Sequence, residues 1–381
     1  MNTIKPKHIL GISGGKDSAA LSIYLNDKYP HIDFQYYFCD TGKELDETYE
    51  LIAKLESYLG KEVLKLDNPE MKSTSDDPFD FYYKSFRGYL PSAQARWCTA
   101  LLKLKPFEKF VNGKPTISYV GIRGDEEREG YISKASNIQS IFPFRRNIWS
   151  SDVLTKFFNP KNQEEVLSFF NSYHKGNKFD KVLDILNEPI SFNRNLKTET
   201  EKAIKLKLNS SLDLGVPEFN RAIFDFLKTT DYPLASQLDY ELLDNEDILV
   251  REDIFKILRE TGIGVPKYYE KIEFEVDGQK GEYARSRSGC YFCFFQQKIE
   301  WIWLYEQHPE LYKEAMKYEN ADELFTWVPH ESLEELIQPH RIKQIKLGHI
   351  QRSNKQKSKS SPYLLDILED TERDGCNTCF L

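Results

Sequence analysis

Two stretches of this chain carry residue types at spacings that can do chemistry. The first is Gly11-Ile-Ser-Gly-Gly-Lys-Asp-Ser18. It follows a short apolar run (Ile9, Leu10, Ile12) and leads into Ala19-Ala-Leu-Ser-Ile-Tyr-Leu25, which reads as a helix. A strand, a glycine-rich turn and a helix in that order leave the N–H groups of Ser13 to Ser18 at a helix N-terminus. Unpaired donors and the helix dipole favour phosphate there. Gly14 and Gly15 let the backbone approach an anion closely, and Lys16 adds a cation. A Walker A loop is excluded, because its G-x-x-x-x-G-K-[ST] spacing needs a glycine where Leu10 stands. Asp17 beside phosphates calls for a bridging cation, and Mg²⁺ takes oxygen ligands of this kind. The plainer alternatives are a tight strand-to-helix turn and a first-turn acid favoured by the dipole alone.

The second stretch is Cys290-Tyr-Phe-Cys293, with a similar pair, Cys376-Asn-Thr-Cys379, near the C-terminus. Six cysteines without a secretion signal read as metal or redox sites rather than structural disulfides. Two thiolates at this spacing chelate one metal or join a cluster, and neighbouring Arg285 and Arg287 would lower their pKa. One CxxC cannot complete four-coordination. Three site types compete: a [4Fe–4S] cluster, a structural Zn²⁺, and redox-active dithiols. Aromatic neighbours (Tyr291, Phe292, Phe294, Phe295) would shield a cluster, and would suit zinc almost as well.

These residues need a scaffold. The first third alternates strand-like runs (His8–Ile12, Phe34–Cys39, Glu62–Leu66, Ile117–Ile122) with helical ones (Ser18–Leu25, Glu44–Leu59, Gln94–Phe110). That is the pattern of an α/β fold with a doubly wound, mostly parallel sheet. Asp40-Thr41-Gly42 and Gly121-Ile-Arg123 both stand just after strands, at the carboxyl edge where such sheets bind ligands. The expected division is a nucleotide-binding α/β domain at 1–153, then a helical insertion at 154–249. A CxxC-bearing segment at 250–330 completes the catalytic domain, and a basic C-terminal region with the CxxC tail fills 331–381. In the insertion, Phe219, Ile223, Phe226 and Leu227 keep helical spacing. Strand-type sequence is expected to resume near Ile254. The helix carrying Ile299, Ile302, Trp303, Leu311, Tyr312 and Met316 reads as core, interrupted at Pro309.

Composition sets limits on function. The net charge of −8 argues against a uniformly basic nucleic-acid surface. Seven cations nevertheless fall between Glu335 and Asp366 without an acid: Arg341, Lys343, Lys346, Arg352, Lys355, Lys357 and Lys359. They are a phosphate-contacting patch or a solvated, mobile loop. Met1 to Lys7 is polar, and no uncharged apolar stretch approaches the ~18 residues of a membrane span. The expectation is a soluble, cytoplasmic protein.

Ser-Gly-Gly-Lys-Asp-Ser after a strand resembles the PP-loop of the adenine-nucleotide α-hydrolase superfamily. Further segments resemble its branch containing phosphoadenosine-phosphosulfate (PAPS) reductase. They are Phe38-Cys-Asp-Thr-Gly-Lys-Glu44, Arg96-Trp-Cys-Thr99 with Lys103 and Lys105-Pro106, and Tyr119-Val-Gly-Ile-Arg123 with Glu126, Glu127 and Arg128. Ile141-Phe-Pro-Phe144, Trp149 and Asp152-Val153 fit as well. The resemblance covers roughly residues 7–153 and 250–319. It implies cleavage of ATP between the α and β phosphates, with Lys16 and Arg123 neutralising pyrophosphate. It implies Asp40 beside the adenosine or the metal, and Cys98 as third ligand with Cys290 and Cys293; Cys376 and Cys379 supply a fourth ligand or a mobile dithiol. Arg96, Lys103 and Lys105 become candidates for binding an anionic substrate.

Across the whole chain the pattern is most similar to the ATP-pyrophosphatase/sulfurtransferase subunits of bacterial DNA phosphorothioation systems (Dnd and Ssp type). That similarity implies a DNA phosphate oxygen adenylated by ATP and replaced by sulfur. Its partners would be a cysteine desulfurase as sulfur donor and sister proteins of a DNA modification complex that present the DNA. The rivals are a PAPS-reductase-like oxidoreductase with a tail-cysteine nucleophile, an RNA thiolation enzyme, and a silent nucleotide sensor or scaffold in a defence complex.

Overall fold

The computed structural model describes residues 5–66, 69–71, 77–126, 132–133, 135–190, 197–320 and 325–358. Seven strands lie among them: β1 (Lys7–Gly11), β2 (Phe34–Phe38), β3 (Val63–Lys65), β4 (Thr116–Tyr119), β5 (Ile138–Ile141), β6 (Ile272–Val276) and β7 (Gln279–Tyr283). Five form one sheet in the order β3-β2-β1-β4-β5. Pairing is parallel, with Lys7 opposite Thr116, Thr116 opposite Ile138, and Tyr36 opposite Val63. β4 and β5 are buried throughout, as parallel strands covered on both faces must be. The strand order reverses between β1 and β4, the signature of a doubly wound sheet. Helices flank the sheet, so the expected α/β class holds. No helix among the described residues is long and apolar enough to cross a membrane.

The described residues fall into two compact units. One draws on Met1–Gly11, Tyr24–Gln35 and Val111–Ile254. Its helical part holds Gln163–Tyr173, Asn177–Asn187, Lys197–Leu214 and Val216–Leu227. Phe219, Ile223, Phe226 and Leu227 are all buried, as their spacing requires. Phe157 anchors this core, within 5.9 Å of the Phe170, Phe219 and Phe226 rings.

The second unit draws on Ile12–Ile23, Tyr36–Phe110 and Phe255–Leu381. The helix Asp46–Leu59 buries Leu51, Ile52, Leu55 and Leu59 and stops at Gly60, whose left-handed backbone (φ 62°) caps it. β6 and β7 make an antiparallel hairpin. Its turn residues Asp277 and Gly278 both have positive φ, the conformation of a two-residue hairpin turn. The aromatic-rich stretch is two helices, Lys298–Gln307 and Pro309–Met316, with Trp301, Trp303 and Tyr312 buried.

Three sequence expectations change. Ile254 lies in a helix, Arg251–Glu260, because Ile254 and Leu258 bury one face at i, i+4 spacing. The helix expected from Gln94 starts only at Trp97 and passes through a π-helical stretch, Ala100–Leu104, before resuming at Lys105. The basic run is no loop through Ser358: Pro339–Ser358 is one helix. Acids remote in sequence engage its first half: Glu331 pairs with Arg341, Asp277 with Lys343 (2.8 Å) and Glu306 with Lys346 (2.7 Å).

Candidate functional site

The segment after β1 turns tightly and enters the helix Lys16–Lys28. Ser13 N–H donates to Ser18 Oγ (3.2 Å), and the Ser18 hydroxyl donates to Gly15 O (3.2 Å), so the turn is held by its own serines. Both glycines are needed for close approach. Gly14 has φ +71°, and a Cβ there would meet Thr48 Cγ2 at 2.2 Å. A Cβ on Gly15 would meet Ser288 Oγ at 2.6 Å. Two tyrosines complete the loop. Tyr268 donates to Gly14 O (2.9 Å), and Lys16 N–H points at the Tyr269 hydroxyl (3.4 Å). The buried Lys16 ammonium lies 4.9 Å from the Tyr269 ring centre and 3.3 Å from Asp17 Oδ2. Asp17 is itself buried. It fits Mg²⁺, which needs only one or two protein carboxylates when phosphates and waters supply the rest.

Asp40, Thr41 and Gly42 form the turn after β2. Asp40 Oδ1 accepts from Gly42 N–H (2.8 Å) and the Tyr49 hydroxyl (2.9 Å), while Oδ2 pairs with Lys65. Burial alone would raise the Asp40 pKa; these donors outweigh it and hold the carboxyl below its usual range. Glu44 lies behind it, accepting from the Thr41 hydroxyl (2.7 Å). Burial, reinforced by the Asp40 charge, pushes Glu44 up to about 7. Lys43 is spoken for by Asp77 (2.5 Å) and Asp80 (3.0 Å).

The CxxC loop reaches this turn. Cys290 Sγ stands 3.1 Å from Thr41 Oγ1, and Tyr291 N–H donates to Lys43 O (2.8 Å). Cys293 N–H folds back onto Cys290 O at 3.3 Å. The expectation that arginines would acidify this thiol fails. Burial, with the Glu44 charge adding to it, pushes the Cys290 thiol well up, and Lys103 is the cation that opposes this. Arg285 instead grips the Cys290 carbonyl (3.0 Å). Arg285 is buried, and its Nε and Nη1 have no hydrogen-bond partner among the described residues. Such donors suit a negatively charged thiolate-bound group. Cys98, half-buried, is the middle residue of the helical segment Trp97–Thr99. Among the described residues, no group of three or more His, Cys, Asp or Glu side chains is placed to hold a metal. Cys376 and Cys379 lie outside the described residues, as do Glu127 and Arg128. Of the cations around Cys98, Lys105 pairs with Glu70 and Arg96 lies over the Phe295 ring at 5.0 Å.

Gly121 and Arg123 follow β4 in the other unit. Gly121 is buried. Arg123 is only 2% exposed, with Nε 2.9 Å from Asp125 and Nη2 2.9 Å from Glu126. The cation expected to meet pyrophosphate is thus held by two carboxylates of its own loop.

Tyr268, Tyr269, Ser288 and Glu44 were missed as site residues. Only Glu44 had a local signal, an acid four residues beyond Asp40. The others approach the loop from more than 250 residues away.

Residues 7–147 match the family model described as the phosphoadenosine phosphosulfate reductase domain. An uncharacterized protein of Methanocaldococcus jannaschii is 30% identical over 161 residues, covering 39% of this chain and 30% of that relative. The chain thus spans less than a third of the curated relative it matches. No solved structure matches.

Proposed function

We propose, from the PAPS-reductase-like domain at residues 7–147, that this chain uses ATP to activate a phosphate oxygen of DNA for replacement by sulfur. One observation carries the reading: the 3.1 Å approach of Cys290 Sγ to Thr41 Oγ1. Within a single unit, a sulfur-bearing loop lies against the turn after β2. Its neighbour Ser288 reaches the phosphate loop, with Oγ 3.4 Å from Ser13 O.

In this reading the ATP phosphates rest on the N–H groups between Ser13 and Ser18, with Lys16 as counter-charge and Asp17 as Mg²⁺ ligand. The acceptor oxygen attacks the α-phosphorus and pyrophosphate departs. Sulfide-level sulfur then displaces AMP, which carries the former acceptor oxygen away. A [4Fe–4S] cluster, or alternatively Zn²⁺, is the group we propose for the cysteines. Cys290 and Cys293 would hold it, with Cys98, Cys376 and Cys379 as sources of the remaining ligands. A bound cluster would supply a carrier for that sulfur. A cysteine desulfurase would deliver the sulfur as a persulfide, which a thiol reductant brings to the sulfide level while becoming a disulfide, and sister proteins of a modification complex would present the DNA.

The test is product analysis of ATP incubated with Mg²⁺, DNA and a sulfide donor. AMP and pyrophosphate are expected, with turnover reduced ~10²-fold by Lys16→Ala. Cys290→Ser should leave pyrophosphate release intact and stop sulfur incorporation, so that AMP stays on the DNA. ADP and orthophosphate would overturn the reading. The matched family model itself favours a second reading, reduction of PAPS, in which the purified chain releases sulfite in a thiol-dependent reaction.

A further inference from the structure

Between Asp80 and Glu108 the chain has no acid and five cations, Lys84, Arg87, Arg96, Lys103 and Lys105, although its net charge is −8. The helix Pro78–Ser85 ends here in a turn. Gly88 N–H donates to Tyr83 O (3.0 Å), and Arg87 and Gly88 take positive φ (55° and 84°). A left-handed arginine is a costly conformation that the surroundings must impose. Its outcome is that two aromatic side chains face solvent: Phe86 is 40% exposed and Tyr89 39%. Both are anchored. Phe86 packs 5.3 Å from the Trp97 ring, and Tyr89 meets Phe325 edge-on at 5.0 Å. Trp97 Nε1 also donates to Tyr89 O (3.1 Å). Lys84, Arg87 and Arg96 are exposed around them. Arg96, over Phe295, carries this face to within two residues of Cys293.

Fixed aromatic faces among cations, with no carboxylate in the segment, are what a single strand needs. Its bases stack without sequence preference while its phosphates meet the cations. A duplex hides its base faces and would use the cations alone. We propose that the Phe86–Tyr89 turn, with Lys84, Arg87 and Arg96, is the docking surface for a single-stranded stretch of DNA. This rests on the reading of DNA as sulfur acceptor and adds that the acceptor is engaged unpaired.

The test is fluorescence anisotropy of the full chain with a labelled mixed-sequence DNA strand of about 20 nucleotides, its duplex, and the matching RNA. The single strand should bind best and weaken steeply between about 50 and 200 mM salt. Phe86→Ala with Tyr89→Ala should weaken it about 30-fold or more, two lost stacks, and leave duplex binding unchanged. Arg87→Gly, which relieves the backbone, should also weaken it and lower the salt slope by about 0.7. Equal binding of strand and duplex, preference for RNA, or indifference to both variants would overturn the proposal. Pyrophosphate release from ATP in the presence of DNA is measured on the same preparation. Loss of the single-strand preference with pyrophosphate release intact defeats only this surface, whereas absent pyrophosphate release defeats the function beneath it.

Discussion

Replacing Gly14 by alanine probes the phosphate loop through one atom. The new Cβ would stand 2.2 Å from Thr48 Cγ2, with Thr48 Cβ next at 3.3 Å, on a backbone with φ +71°. The left-handed conformation costs alanine about 1–2 kcal/mol. Forcing a methyl into a packed contact costs about 1–3 kcal/mol more. Gly14→Ala should therefore destabilise by about 2–5 kcal/mol, the sum of those two costs. Thr48→Ser removes Cγ2 and so the clash, leaving only the backbone cost. A double-mutant cycle of Gly14→Ala and Thr48→Ser should then give a coupling of about 1–3 kcal/mol. The readout is urea unfolding followed by tryptophan fluorescence. Four of the five tryptophans (Trp97, Trp301, Trp303, Trp327) belong to the unit that holds Gly14 and Thr48. If Gly14→Ala costs the same in both backgrounds, the close approach to Thr48 is not what demands glycine.

Arg123→Met takes away the guanidinium that buried Asp125 and Glu126 face. It should cost about 3–5 kcal/mol in thermal unfolding, and adding Asp125→Asn and Glu126→Gln should restore much of it. Glu44, raised from 4.5 to about 7, holds up to one more proton folded than unfolded between those values. Stability should thus fall as pH rises through that window, and Glu44→Gln should flatten the fall when urea midpoints at about pH 5 and about pH 8 are compared. An unchanged slope would show that Glu44 titrates normally. Tyr268→Phe strips the donor from Gly14 O and should cost about 1–3 kcal/mol, with weaker AMP binding by calorimetry. Unchanged affinity would remove Tyr268 from the loop's support.

The parts of the site made by neighbouring residues were legible in the sequence. Gly14-Gly15-Lys16 after an apolar strand, and Asp40-Thr41-Gly42 after the next, follow from local backbone geometry. What closes over them was not. Tyr268 and Ser288 look like any hydroxyl residues until the chain returns across some 250 positions. The family resemblance is what makes Arg123 a candidate pyrophosphate ligand. Asp125 and Glu126, two and three residues on, are carboxylates it meets in this structure. The run from Arg341 allows a phosphate-contacting patch or a solvated loop, because its own segment has no acid and ends in low complexity; Asp277, Glu306 and Glu331 come from elsewhere. β5 escaped notice because Ile138–Ile141 is four residues buried on both faces, too short for any alternation to show.

The most direct test of the central claim follows one oxygen atom. DNA whose non-bridging phosphate oxygens are ¹⁸O is incubated with the chain, ATP, Mg²⁺, a thiol reductant and a cysteine desulfurase supplied with cysteine, and the AMP is weighed by mass spectrometry. If the acceptor oxygen is adenylated and then displaced by sulfur, the AMP carries one ¹⁸O. AMP whose new oxygen comes from solvent would mean that water, not the DNA phosphate, attacks ATP, and would contradict the account.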